Sequence, residues 1–294
     1  MRKSLSTLAR RALKRIGFVP QADVSHIAPI DLRGLCRDPL DAASRTQGLA
    51  FLIEVPLARL RDMHPIVPSW DSNPYFLTAK EYIENNDLVY GDTPLRHFFE
   101  TVTPKNAAEI LESRSQALVL MSPLEANLPW RECGPPARQV KLKRAERQAR
   151  EHGVPLSQAD GDYSMGPVSR AKGEFEFARL TRVTDSIRQH GYAPPTRQHN
   201  ISGQLMEADG DWAVMIASGT HRAAALYALG WSSVPVVVKV DKTARRRELA
   251  NWTSVRNGHI TPAEARAFFD RVLRGEDPAW LKTYWRGAMP GAAG

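Results

Sequence analysis

The stretch that decides the fold runs Trp212-Ala213-Val214-Met215-Ile216-Ala217-Ser218-Gly219-Thr220-His221-Arg222-Ala223-Ala224-Ala225-Leu226-Tyr227-Ala228-Leu229-Gly230-Trp231-Ser232-Ser233-Val234-Pro235-Val236-Val237-Val238-Lys239-Val240. Trp212 to Ile216 reads as a strand and Ala217-Ser218-Gly219 as a turn. Thr220 to Leu229 reads as a helix closed by Gly230. The β-branched run Val234 to Val240 is a strand. The order strand, tight turn, helix, strand puts Gly219-Thr220-His221-Arg222 at a helix N-terminus. The first amides of a helix lack intrahelical partners and its dipole favours negative charge there. Gly219 leaves the backbone open to a phosphate. Arg222 can add a bidentate contact, His221 a donor or proton carrier, and Ser218 and Thr220 hydroxyls for phosphate oxygens. The same residues also have a plainer reading, with Ser218 or Thr220 as N-cap, Gly219 as a turn residue, and His221 and Arg222 solvated.

Upstream, Glu174 to His190 places Phe177, Leu180, Val183 and Ile187 on one helical face, and Gly191 follows as a stop. Neither GxxxxGK[ST] nor GxGxxG occurs in the chain, which excludes a Walker loop and gives no support to a Rossmann dinucleotide site. Cys36 and Cys133 form no CxxC and no His/Cys cluster, so neither a disulfide framework nor a structural zinc site is expected.

The 294 residues, 43% hydrophobic and 24% charged, describe a globular protein rather than a disordered or fibrous one. No stretch reaches the apolar length of a membrane span, and a cytoplasmic setting is expected. The net charge of +8 suggests an anionic partner, but its distribution is uneven. Residues 1–17 form a basic amphipathic helix, with Arg2, Lys3, Arg10, Arg11, Lys14 and Arg15 opposite Leu5, Leu8, Ala12, Leu13 and Ile16. That helix either docks on its own domain or lies on an anionic membrane surface through residues 1–16, at the inner membrane face. Arg138 to Arg150 is a second basic run, read as a solvated helix or linker, with a phosphate-tracking surface as the alternative.

Between them, Leu49 to Val55 reads as a buried strand, and Thr78 to Asn85 and Asn106 to Ser113 as helices. His64-Pro65-Ile66-Val67-Pro68-Ser69-Trp70-Asp71 and Asn73-Pro74-Tyr75-Phe76 are expected to be irregular, because proline removes a donor and restricts its predecessor. This aromatic segment either lines a pocket or straps the core. Tyr90-Gly91-Asp92-Thr93-Pro94 is a turn in which Asp92 or Thr93 starts a helix carrying Leu95, Phe98 and Phe99. Thr261 to Leu273 is a further helix, and His259 a helix-entry loop residue.

Met165-Gly166-Pro167-Val168, the helix with Arg179-Leu180 and Ser186-Ile187, the turn Ser218-Gly219-Thr220-His221-Arg222 and Val234-Pro235-Val236 together resemble the ParB/sulfiredoxin-like superfamily. The likeness covers Tyr163 to Asp241. It implies an α+β fold: a ParB/sulfiredoxin-like mixed-sheet module at 161–245, with a larger N-terminal α/β region at 18–137, a charged helix or linker at 138–160 and a C-terminal helical cap at 246–294. Members use a Gly-x-His-Arg or Gly-x-Arg-Arg turn followed by a helix to hold nucleotide phosphates, and include DNA-segregation CTPases, a free-serine kinase, sulfinic-acid reductases and nucleases. Thr220 stands where the sulfiredoxins carry cysteine, which excludes their thiol chemistry. The C-terminal remainder offers little for a helix-turn-helix reader.

The resemblance therefore implies a nucleotide-binding kinase or NTPase that uses ATP or CTP with Mg²⁺ and acts on a small-molecule or glycan-like substrate. By the same resemblance Glu174 and Glu176 would bind Mg²⁺ or act as general base, with His221 as a further catalytic candidate. Two alternatives stay open, a nucleic-acid-associated protein or nuclease and a membrane-surface accessory protein in envelope polysaccharide assembly.

Overall fold

Strands from both halves of the chain interleave in one sheet. The computed structural model describes residues 28–62, 66–192 and 201–285. The expected basic helix at 1–17, and His64 and Pro65 of the aromatic segment, lie outside them. The strands are β1 (Ile30–Asp31), β2 (Phe51–Pro56), β3 (Leu60–Asp62), β4 (Ile201–Ala208), β5 (Asp211–Ser218) and β6 (Ser233–Arg245). Their spatial order is β1-β2-β6-β4-β5-β3. Antiparallel pairs β2·β6 and β4·β5 alternate with parallel pairs β1·β2, β4·β6 and β3·β5. The chain is thus a mixed α/β protein on a six-stranded mixed sheet. The three strands from 161–245 form its middle, and those from 18–137 extend it at both margins, so the two segments share one core.

Burial explains the strand sequences. Val234, Val236 and Val238 of β6 are fully buried and Val237 nearly so, the pattern of a strand covered on both faces. Phe51 pairs with Val238 and Val55 with Val234. The β4–β5 hairpin closes on Asp209-Gly210, both at positive φ (50° and 85°), as a two-residue primed turn requires.

The helices are α1 (Pro39–Arg45), α2 (Pro74–Glu84), α3 (Pro94–Thr101), α4 (Ala107–Leu111), α5 (Gln116–Val119), α6 (Pro135–Glu151), α7 (Arg170–His190), α8 (Thr220–Ala228), α9 (Thr253–Arg256), α10 (Pro262–Arg274) and α11 (Leu281–Tyr284). Pro74-Tyr75-Phe76 is helical, contrary to the irregular segment expected, with Asn73 as its extended cap. Pro74 occupies the first helical position, where its missing N–H costs nothing, and Asn73 Oδ1 accepts from the amides of Tyr75 and Phe76. Thr93 caps α3 in the same way, as the turn chemistry suggested. α7 begins four residues before Glu174, because Ser169 Oγ accepts from the amide of Lys172.

Helix α8 packs on α2 and α7, and its Ala223, Ala224, Ala225 and Leu226 are fully buried. At the sheet margin Arg61 of β3 donates to the carbonyls of Val272 (2.9 Å) and Leu273 (2.8 Å), satisfying the end of α10. Among the described residues, no helix is long and apolar enough to cross a membrane.

Candidate functional site

Helix α8 opens without a capping side chain. Its N-cap is Gly219, left-handed at φ 99°, a conformation that glycine adopts without the steric cost other residues meet. Ser218 is the last residue of β5, paired with Ser202, and Thr220 is the first of the helix, so neither hydroxyl residue is the cap. The first turn of α8, carrying Thr220, His221 and Arg222, therefore meets the cleft with its positive dipole end.

Facing it, α7 presents Lys172, Glu176, Arg179 and Val183 at helical spacing. Glu176 is completely buried, and its Oε1 accepts from Lys172 Nζ at 2.8 Å, itself only 3% exposed. Arg179 Nη1 donates to Oε2 at 3.1 Å. His221 brings Nε2 within 3.0 Å of the same oxygen, but off the line a hydrogen bond needs, so this contact is one of charge and dipole. Burial pushes the Glu176 carboxyl up, but His221, Arg179 and Lys172 outweigh it and hold its pKa well below the usual carboxylate range. Burial also pulls the His221 pKa below its ordinary 6.5, against the opposing pull of Glu176 and with Arg179 and Arg222 adding to the fall. One carboxylate already meets two full positive charges, so the imidazole stays neutral near pH 7.

The aromatic segment completes the wall. Tyr75 stacks edge-on to His221 with centroids 4.9 Å apart, and its hydroxyl donates to the carbonyl of Tyr163 at 2.9 Å. Trp70 is buried and donates to the carbonyl of Leu60. The segment thus both covers core and backs the site.

The resulting cleft has a volume of about 220 Å³ and runs from Ala217 through Arg222 to Arg179, Tyr163 and the α6 residues Arg144, Arg147 and Gln148. Four guanidinium groups line it and no carboxylate does. Arg144 Cζ lies 5.1 Å from the Tyr163 ring centroid, and its Nε is buried with no hydrogen-bond partner, as is Gln148 Oε1. Burial draws the Arg222 pKa below its ordinary value. Such a surface suits a multiply charged oxyanion.

The candidate residues separate accordingly. Ser218, Gly219, Thr220, His221 and Arg222 all line the cleft, and Glu176 lies directly behind His221. Glu174 is elsewhere, half-exposed, with its carboxylate on Arg170 at 2.7 Å. The donor set does not fit a protein-held Mg²⁺ here, since the cleft offers no carboxylate and Glu176 Oε1 and Oε2 are taken up by cations. Among the described residues no group of three or more His, Cys, Asp or Glu could hold a metal ion. Lys172, Arg179, Arg144 and Arg147 are site residues the sequence reading does not single out, while Tyr75 belongs to the aromatic segment read as lining a pocket or strapping the core. The first two were signalled by their spacing of four and three residues from Glu176. Arg144 and Arg147 sat inside the basic run already noted. No family model, curated protein or solved structure matches this chain.

Proposed function

We propose that the chain is a nucleotide-binding protein of ParB/sulfiredoxin-like type, working as a kinase or NTPase on ATP or CTP and a small or glycan-like second substrate. The observation that carries the reading is the cleft at the start of α8. Four arginines, an uncapped helix N-terminus and a left-handed glycine converge there with no opposing carboxylate in the lining. In this reading the first-turn amides and Arg222 hold phosphate oxygens, and Arg144, Arg147 and Arg179 spread over the remaining charge.

Neutral His221 is the proton acceptor of the site. The carboxylate beside Nε2 favours the tautomer with its hydrogen there, which leaves the lone pair on Nδ1. An acceptor hydroxyl would pass its proton to that nitrogen as its oxygen bonds the terminal phosphorus and the nucleoside diphosphate leaves. Glu176 is the positioning residue for His221.

Calorimetric titration with ATP, CTP, GTP and UTP, with and without Mg²⁺, tests the reading on wild type and Arg222→Ala. Loss of one charge-assisted contact should weaken binding by about 10- to 100-fold. Equal affinity in the two proteins, or no nucleotide response at all, refutes it. A nucleic-acid role rests on α6, whose Arg138, Lys143 and Arg150 are exposed beside the cleft residues. It predicts duplex-DNA retention with a steep salt slope that neutralising those three residues flattens.

A further inference from the structure

Arg144 lines two cavities. Besides the phosphate cleft it borders a second space of about 340 Å³, at the small end of the range that small-molecule pockets occupy. The two are neighbours along the chain as well, for Tyr163 lines the cleft while Ser164 and Met165 line the second cavity. The second cavity differs in chemistry. Ile66, Ile110, Leu128 and Met165 give it apolar, buried walls. Three cations, Arg131, Lys141 and Arg144, converge on it.

Each cation is held in place from the protein side. Arg131 Nη2 donates to Gln204 Oε1 at 2.7 Å, Lys141 Nζ donates to the carbonyl of Ala126 at 2.8 Å, and Arg144 stacks on Tyr163. Two carboxylates lie nearby. Glu132 is exposed at the rim, and Asp162 is buried and accepts from the backbone and hydroxyl of Ser164. Positive charge therefore exceeds negative within an apolar enclosure. Consistent with that, burial and the neighbouring Arg144 both depress the pKa of Arg131 and of Lys141, although Asp162 acts to raise that of Lys141.

We infer that this cavity binds a small monocarboxylate with an apolar body, seated beside the phosphate cleft as its second ligand. A multiply charged phosphate suits the polar cleft, whereas a single planar carboxylate matches an arginine fork and an ammonium in the wall of an apolar space. The cavity's own ligand follows from its walls. Only its pairing with a nucleotide rests on the function proposed above.

The test is ligand-observed NMR and calorimetry on the full chain with isovalerate, phenylacetate and indole-3-acetate, set against phenylacetamide and phenethylamine. At least one acid should bind, the amide at least tenfold more weakly than phenylacetate if that is the acid bound, and the amine not at all. Val140 lines the cavity at its mouth and is 67% exposed, so Val140→Trp should fold normally and block entry. Lys141→Met should weaken the acid at least tenfold, with its thermal transition recorded as the check on folding. Binding of no acid, equal binding of phenylacetate and phenylacetamide, or undiminished binding in Val140→Trp would overturn the proposal. Acid binding by a wild-type protein that answers to no nucleotide would uphold this pocket and remove the nucleotide reading of the cleft.

Discussion

Removing the Glu176 carboxylate should destabilise the fold far more than the loss of an ordinary ion pair. Glu176→Ala strips the anion from Lys172, which is 3% exposed and has no route to water, while Arg179 at 22% exposure can turn outward. Breaking a buried pair from one side typically costs about 3–5 kcal/mol, because the remaining charge stays buried and uncompensated. Lys172 Nζ lies 5.3 Å from the Phe175 ring centroid and 5.8 Å from that of Tyr163. Those cation–π contacts are made in wild type and variant alike, so they leave the expected loss at about 3–5 kcal/mol. For 294 residues, at about 2.1 cal/mol/K of unfolding entropy per residue, that is a fall in Tm of about 5–8 °C. Urea denaturation followed by tryptophan fluorescence, with scanning calorimetry beside it, measures both quantities. The double variant Lys172→Met/Glu176→Leu removes both charges and should be much less destabilised than the sum of its singles. A loss below about 1 kcal/mol in Glu176→Ala, or a double variant no better than additive, would refute the buried network as the site's foundation.

The pH dependence follows from the same groups. The folded-state pKa of His221 lies below its ordinary 6.5, so between those two values the unfolded chain binds a proton that the folded one refuses, and stability falls as pH drops below about 6.5. Urea midpoints from pH 8 to 5 for wild type and His221→Gln should differ in slope over that window and run parallel above it; parallel curves throughout would refute the assignment. Gly219→Val places a β-branched residue at φ 99°, at a cost of at least about 1–2 kcal/mol, and should also lower phosphate affinity, which calorimetry reads separately from stability. Gly173 of α7 packs against Tyr90 so closely that a Cβ there would overlap both the hydroxyl and the ring carbons, so Gly173→Ala should cost about 1–3 kcal/mol by thermal denaturation, relieved in a Tyr90→Ala background and not by Tyr90→Phe, which keeps the ring.

The legible parts of the fold were those whose local chemistry and tertiary role agree. Trp212 to Val240 is strand, turn, helix and strand by its own residues, and tertiary contacts alter it only at the margins. β4 escaped notice because Ser202, Gly203 and Gln204 carry little strand propensity, although Asp209-Gly210 beyond it is a hairpin signal. The placing of β1, β2 and β3 at the two margins depends on long-range pairing that no local pattern records. In the site, a helix read as starting at Glu174 puts Glu176 in its first turn, where an acid reads as open to a ligand. Starting it from the Ser169 cap puts Glu176 on the second turn and aligns it with Lys172 and Arg179. A stripe of Lys, Glu and Arg at that spacing reads like a solvated helix face. Only its burial under Tyr75, Tyr163 and α8 makes it a site.

The charged helix α6 shows the same ambiguity from the other side. Its composition suits a solvent-bridging helix, and most of its charges are exposed. Yet Arg144 and Arg147 turn into the cleft, and Arg144 and Lys141 into the neighbouring cavity, so the helix forms a wall shared by both. That placement bears on why the chain carries so large a segment ahead of the strand–turn–helix unit. The unit alone supplies Arg222, His221 and the α8 amides, enough to attract an anion but open on its far side. Tyr75 from α2 fixes the His221 ring, α6 closes the cleft with two more guanidinium groups, and residues 110–144 build the second cavity against it. No carboxylate stands in the cleft's own lining; Arg147 is paired with Glu151 at 3.7 Å and Arg179 with Glu176 at 3.1 Å, both from outside it. A bound oxyanion would meet the guanidinium groups of all four arginines within that one small space.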